Sequence, residues 1–342
     1  MQRQWFVMNK LGENVKTFVT GGTGFIGRHL VERLVTEGRS VRCLVRKTSD
    51  VKFLDKLGVE LCYGDLLDNN VLKKVFEDQS INIIYHLGGS VYSRRSGSYH
   101  AVNARGTDNL LSVCPRNKIE KFILVSSITA VGPQTEKENL LTEETTPHPI
   151  PPYGTSKNAA EKIALQYCRN GDFPLVIVRP PLVYGPGQGQ DITNIFKQIE
   201  KGVFRIIGSG DYITSLCYID NLIDGLLLLE KHKSSTSKTY FIADNRYYTF
   251  KEIAEVIANE LYVKIPKGKI PKFFADISGI LYMSLHNILG VTSIPLYAVH
   301  LMTLNFACDI SKICSELSYQ PKIDLREGIR RTSEWYKKDR LN

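Results

Sequence analysis

Along its first half the chain repeats one pattern: a short run rich in β-branched and aliphatic residues, then a longer stretch with apolar positions at helical spacing. The runs occupy residues 15–20, 39–47, 59–63, 81–89, 121–127 and 175–180. Their length and composition predict buried strands, and the spacing between them predicts amphipathic helices. Regular alternation of the two predicts an α/β fold built on a doubly wound parallel sheet. At 342 residues the chain can bury a large core, as one two-lobed unit rather than two independent ones.

The first strand runs directly into Thr20-Gly21-Gly22-Thr23-Gly24-Phe25-Ile26-Gly27, and helical periodicity follows from Arg28 to Val35. Strand, glycine turn and helix in that order is the context in which such a motif holds a dinucleotide pyrophosphate. Gly21 and Gly24 permit tight turning and close approach of backbone N–H groups to phosphate. Gly27 lets the helix pack close to the strand, and the helix N-terminus offers unpaired donors. Thr23, Phe25 and Ile26 belong to the same cradle. The second strand exits through Val45, Arg46 and Lys47, with no acid between Glu37 and Asp50. A carboxylate there would favour NAD(H); two cations suit a 2′-phosphate, so NADP(H) is favoured and NAD(H) stays open. The third strand ends at Gly64-Asp65-Leu66. The fourth runs into Leu87-Gly88-Gly89, where a backbone can lie against a ligand.

Tyr153 and Lys157 stand four residues apart, on one face of the helix that Pro151-Pro152 would introduce. Moving a tyrosine from its ordinary pKa to neutrality takes roughly 4 kcal/mol of preferential phenolate stabilisation. An ammonium and an oxidised nicotinamide can supply that together. Ser126-Ser127, at the carboxyl end of the fifth strand, offers a hydroxyl to hold a substrate oxygen.

Composition adds limits. Seven dispersed cysteines fit a reducing, cytoplasmic setting, and no cluster of spacing suited to a metal occurs. The net charge of +9 suits an anionic cofactor, and no aromatic–basic module for nucleic acid is visible. Lys264, Lys267, Lys269 and Lys272 precede Phe273-Phe274, and residues 277–308 contain no Asp, Glu, Lys or Arg. Ile280, Leu281, Tyr282, Leu285, Ile288 and Leu289 make a wide apolar helix face. Three readings stand: a wall of the smaller lobe over an apolar pocket, an ordinary buried helix pair, or peripheral contact with a membrane. Polar residues and Pro295 interrupt the run, which argues against a transmembrane span.

From about Val15 to Lys337 the chain resembles the extended short-chain dehydrogenases/reductases. Ser126-Ser127-Ile128-Thr129-Ala130-Val131-Gly132-Pro133 is most similar to the 3β-hydroxysteroid dehydrogenase group. The resemblance implies a Ser127, Tyr153, Lys157 triad with Asn103 near the proton path, and Asp65 with Leu66 at the adenine. It also implies that the segment Arg179 to Pro186, with Pro180 and Val183, faces the nicotinamide, and that the protein is a homodimer. The expected organisation is an extension at 1–14, a Rossmann core at 15–180 joined again by 215–243, and a mainly helical substrate lobe at 181–214 and 244–342. One departure bears on substrate. Nucleotide-sugar epimerases carry Gln-x-Arg before Tyr-Val-Asp, whereas here Tyr212 and Thr214 stand in those places. Threonine cannot clamp a diphosphate, although Arg179 or Arg205 could compensate.

The expected activity is therefore an NAD(P)-dependent interconversion of alcohol and ketone on a small hydrophobic substrate, lipid, steroid-like or polyketide-like. A nucleotide-sugar epimerase or dehydratase holding NAD tightly is the first rival. A non-catalytic dinucleotide sensor is the second, disfavoured by an intact proton-transfer set.

Overall fold

All six runs form strands in one seven-stranded parallel sheet. They are β1 (Lys16–Thr20), β2 (Ser40–Val45), β3 (Glu60–Tyr63), β4 (Ile81–His86), β5 (Lys121–Val125) and β6 (Leu175–Arg179). After the shorter strands β7 (Leu182–Tyr184), β8 (Ile206–Ile207) and β9 (Ile213–Tyr218), the seventh member, β10 (Lys238–Phe241), pairs with β6. The spatial order is β10-β6-β5-β4-β1-β2-β3. The structure, a computed structural model, describes residues 16–77, 80–169, 173–265 and 268–339. The 1–14 extension and Lys267 lie outside the described residues.

The two-residue period of a strand explains why the inner runs are largely apolar at successive positions. In β1, Phe18 packs into one core with Leu44, Ile84 and Phe122, while its neighbour Val19 packs into the other with Cys43, Tyr85 and Ile123. Helices cover both faces, so both sets are buried. Leu30, Val31 and Leu34 of helix Phe25–Thr36 cover one face; Leu110, Leu111 and Ala164 cover the other. The chain winds outward from β1 through β2 to β3, then returns to β4 on the other side. A crevice opens at that reversal, at the carboxyl ends of β1 and β4.

Beyond β6 a smaller part is added. The segment 215–218 lies in β9, which joins β7 and β11 (Tyr247–Thr249) in a three-stranded sheet, while β8 pairs with β12 (Lys269–Ile270). The return to the large sheet is made by helix Ile219–Lys231 and β10. Helices Asp191–Glu200, Phe250–Glu260, Lys272–Leu289, Ile294–Leu301, Ser311–Leu317 and Leu325–Asp339 complete this part.

Helix Lys272–Leu289 corrects one expectation. Its buried residues are Ala275, Ser278, Gly279 and Tyr282, whereas Ile280, Leu281, Ile288 and Leu289 are exposed. Small residues let the helix Ile294–Leu301 approach closely: a Cβ on Gly279 would meet His300 Nδ1 at 2.5 Å. The large aliphatic side chains have no room there and point away, so this is not an ordinary buried helix pair. Among the described residues, no helix is long and apolar enough to cross a membrane.

Candidate active site

The glycine motif forms the floor of the crevice. Gly21 has φ +76°, and a Cβ there would strike the Gly88 nitrogen at 2.8 Å. A Cβ on Gly27 would lie 2.1 Å from the Gly21 oxygen, so the turn and the helix behind it can close only without side chains. Helix Phe25–Thr36 starts here with no side-chain cap, which leaves its first backbone donors facing the crevice. Those donors and the close turn fit a pyrophosphate. His29 ties the helix to the far wall through the Pro186 carbonyl at 2.9 Å, and Phe25 meets the His29 ring edge-on. The Thr23 carbonyl accepts from Arg28 Nε at 3.1 Å, and the side chain of Ile26 is half-buried beside the core.

Arg46 and Lys47 lie exposed directly after β2, at the same edge of the crevice. Arg28 shares this edge, its guanidinium 3.9 Å from Asp50. Its place just after Gly27 was the signal that sequence reasoning passed over. Asp65 follows the end of β3, with one carboxylate oxygen accepting from the Leu67 N–H at 2.9 Å. Leu66 is buried, and a Cβ on Gly88 would meet its Cδ1 at 2.9 Å. Leu87 donates its N–H to Thr20 O at 3.2 Å and Gly88 donates its own to Thr20 Oγ1 at 2.9 Å, so both belong to the crevice wall.

Helix Tyr153–Arg169 carries Tyr153 and Lys157 on one face, beside the end of β5. Ser127 caps the short turn Ile128–Ala130, its hydroxyl accepting from Thr129 Oγ1 at 2.9 Å. Of the two serines, it is Ser127 that acts on the Tyr153 phenol. Burial pushes the Tyr153 phenol up to about 12, Ser127 pulls it down, and Asp191 and Tyr99 push it further up. The Lys157 ammonium donates to the Val125 carbonyl at 2.7 Å, and burial pulls it down to about 8. A Cβ on Gly89 would lie 2.9 Å from Asn103 Oδ1 and 3.9 Å from Lys157 Nζ, so Gly89 keeps this corner open.

Asn103 sits in a π-helical turn, Ala101–Arg105. It accepts from the Ser90 N–H at 2.7 Å and donates to Ser156 Oγ at 2.8 Å, which fixes it between the β4 exit and the catalytic helix. Sequence reasoning missed what positions it. Gly88 N–H donates to Thr20, Thr20 Oγ1 lies 2.6 Å from His86 Nδ1, and His86 Nε2 lies 3.0 Å from Thr107 Oγ1. Thr107 then donates to the Asn103 carbonyl at 2.5 Å. Each hydroxyl has one proton, so the bond pattern assigns a neutral His86 with its proton on Nε2. Burial and the nearby Lys157 charge pull His86 down to about 3, in agreement.

Aromatic rings line the region over Tyr153. The Tyr99 ring meets Tyr153 edge-on at 6.2 Å, and Tyr282 stacks on Tyr297 at 5.0 Å. The Tyr297 hydroxyl is buried, without a hydrogen-bond partner, and is an electrostatic neighbour of Tyr153. Asp191, which opens helix Asp191–Glu200, accepts from the Tyr92 hydroxyl at 2.6 Å; burial holds its carboxyl above the usual carboxylate range. No motif marked these residues, because they reach the site from separate elements.

Of the two substitute diphosphate clamps, Arg179 is taken up by another partner. Arg179 is buried and closed on Glu161, 2.7 Å from Oε2, with a further bond to the Glu143 carbonyl. Arg205 donates to the carbonyls of Gly202 and Phe204. Thr214 is buried in β9 and donates to the Ser215 carbonyl at 3.2 Å. Pro180 accepts from the Ile128 N–H at 2.9 Å, and Val183 is buried in β7.

The model of the NAD dependent epimerase/dehydratase family matches residues 17–243. An uncharacterised protein, y4nL of Sinorhizobium fredii, is 30% identical over 334 residues, covering 93% of this chain and 94% of its own. A 4-hydroxy-2-methyl-3-oxo-4-farnesyl-3,4-dihydroquinoline-1-oxide ketoreductase of Stigmatella aurantiaca is 26% identical, covering 92% and 95%. Among solved structures, UDP-glucuronic acid 4-epimerase from Bacillus cereus in complex with NAD superposes with a TM-score of 0.76 at 24% identity, covering 95% and 99%. At that identity the likeness is one of fold.

Proposed function

The chain belongs to the NAD dependent epimerase/dehydratase family of extended short-chain dehydrogenases/reductases, and on that footing we propose that it interconverts a secondary alcohol and a ketone on an apolar substrate, with NADP(H) favoured. A bound nicotinamide dinucleotide supplies the hydride acceptor or donor. In this reading Tyr153 transfers the hydroxyl proton, Ser127 holds the substrate oxygen, and Lys157 stabilises the phenolate and meets the cofactor ribose. Asn103 keeps the β4 exit and the catalytic helix in register. The observation that carries the substrate class is the closure of Arg179 on Glu161, with a buried Thr214 at the position where the epimerases carry an arginine. The aromatic groups over Tyr153 then offer apolar surface rather than a phosphate clamp. The ketoreductase relative, named for a farnesyl-bearing molecule, supports the same direction.

The test is a homologous series of alkyl ketones assayed with NADPH. Each buried methylene should add about 0.8 kcal/mol, nearly fourfold in affinity, until the pocket is filled. UDP-glucose should neither turn over nor compete. Inhibition by UDP alone at micromolar concentration would replace this reading with the epimerase, and absence of turnover on every class with intact dinucleotide binding would favour the sensor.

A further inference from the structure

We propose that the exposed side of helix Lys272–Leu289 is a docking face for an anionic phospholipid membrane. The face is mainly apolar, broken by the exposed Ser284: Phe273, Phe274, Ile277, Ile280, Leu281 and Ile288 are all more than a third exposed, Ile288 by 78%. They recur at spacings of three, four and seven, so they form one stripe opposite the buried Ala275, Ser278, Gly279 and Tyr282. Contiguous apolar surface of this kind is uncommon on a protein that meets only water.

Charge decides the occupant. Lys269 and Lys272 are exposed at the start of the helix, and Lys264 is exposed further upstream. Arg94 and Arg95, also exposed, are fastened to its other end: Thr292 N–H donates to Arg94 O at 3.0 Å, Arg95 bridges Val291, and Ser96 N–H donates to Gly290 O at 3.0 Å. Between these ends the acid on the helix is Asp276, which pairs with Lys272. An apolar stripe along an 18-residue helix with cations at both ends matches a surface with an apolar interior and anionic headgroups. Such a helix lies in the plane of the interface, consistent with its being too polar to cross.

The same helix is a wall of the active site. Its Tyr282 hydroxyl donates to the Pro151 carbonyl at 2.7 Å, two residues before Tyr153, and the strap from Arg94 to Ser96 continues from Tyr92, which reaches Asp191. Docking on this face would put the mouth of the site against the bilayer. The docking face is argued from exposure and charge, and stands whatever the substrate is.

The experiment is co-sedimentation of the full chain with vesicles of phosphatidylglycerol and phosphatidylcholine in equal parts, and with phosphatidylcholine alone. The wild type should bind the anionic vesicles, less so as salt rises, and bind the neutral ones weakly. Ile280→Ser/Ile288→Ser should weaken binding at least tenfold with unchanged dinucleotide affinity. Arg94→Gln and Lys269→Gln, which leave the apolar stripe and its helix intact, should each weaken it by about fivefold on anionic vesicles. Lys73→Gln, an equal loss of charge on helix Asn69–Val75, should change nothing. Absence of vesicle binding, or equal binding by all variants, overturns the proposal. So does a dimer that Ile280→Ser/Ile288→Ser converts to monomer, which would assign the face to a second copy.

Discussion

Thr20 Oγ1 and His86 Nδ1, 66 residues apart in the chain, meet at 2.6 Å where β1 and β4 end side by side. The bond joins two parts of the site that the sequence lists separately. On one side Thr20 holds the Gly88 N–H at the floor of the dinucleotide crevice. On the other, His86 passes through Thr107 to the carbonyl of Asn103. Both ring nitrogens of His86 are therefore spoken for, and the ring is neutral.

Replacing the ring by an apolar one of similar size tests this. His86→Phe leaves the Thr20 and Thr107 hydroxyls short of a partner and should cost about 1–3 kcal/mol of stability. Dinucleotide affinity, read by fluorescence titration, should fall with it. The pH dependence has a definite sign. Because the folded-state pKa, about 3, lies below the ordinary imidazole value of 6.5, the unfolded chain binds the extra proton between them. The contribution is whole above 6.5 and is lost as pH falls toward 3. The stability gap between wild type and His86→Phe should narrow over that window.

Tyr153→Phe should lower turnover by about 10²–10⁴-fold while dinucleotide affinity changes little, since the change removes a proton donor and hardly any volume. Asp191→Asn tests the electrostatics around it. The Asp191 carboxylate opposes the phenolate, so neutralising it lowers the Tyr153 pKa. In the direction of alcohol oxidation, the rising limb of the kcat–pH profile should move to lower pH. A profile that stays in place would mean that Asp191 does not act on Tyr153 in the working enzyme.

Arg46→Asp should shift the ratio of kcat/KM for NADPH over NADH towards NADH by about 10–100-fold, the worth of one hydrogen bond to a charged group at ~1.5–3 kcal/mol. Steady-state kinetics with the two cofactors reads this directly. A wild type that prefers NADH would assign Arg46 and Lys47 to solvent.

Glu161→Ala leaves the Arg179 guanidinium buried without its carboxylate. The expected cost is about 3–5 kcal/mol, seen as a lower urea midpoint at unchanged slope. Arg179 freed in this way could also expose a cation to the substrate wall, so weak UDP inhibition appearing only in this variant would confirm that closure on Glu161 excludes phosphate.

The sequence by itself determined whatever is encoded within one element and its immediate neighbours. Strand runs covered on both faces are largely apolar, which made β1, β4, β5 and β6 legible, while the edge strand β3 shows mainly as a short run between turns. Gly21, Gly24 and Gly27 follow a strand and open a helix, and Tyr153 and Lys157 share a helical face, so each set is held by local geometry. The tertiary structure decided what depends on contacts between distant segments. His86 reads in the sequence as the last residue of a buried strand, and only the pairing of β1 with β4 gives Thr20 to one ring nitrogen and the packing of Thr107 gives a partner to the other. Arg179 reads as a free cation until helix Tyr153–Arg169 brings Glu161 against it. The apolar face of 272–289 shows periodicity but not direction: hydrophobic spacing tells that a helix has two sides, and the packing of Gly279 against His300 decides which side is turned inward. Burial, likewise, is a property of the whole fold. It sets the Tyr153 phenol high and the Lys157 ammonium low, which the spacing of the two residues does not show.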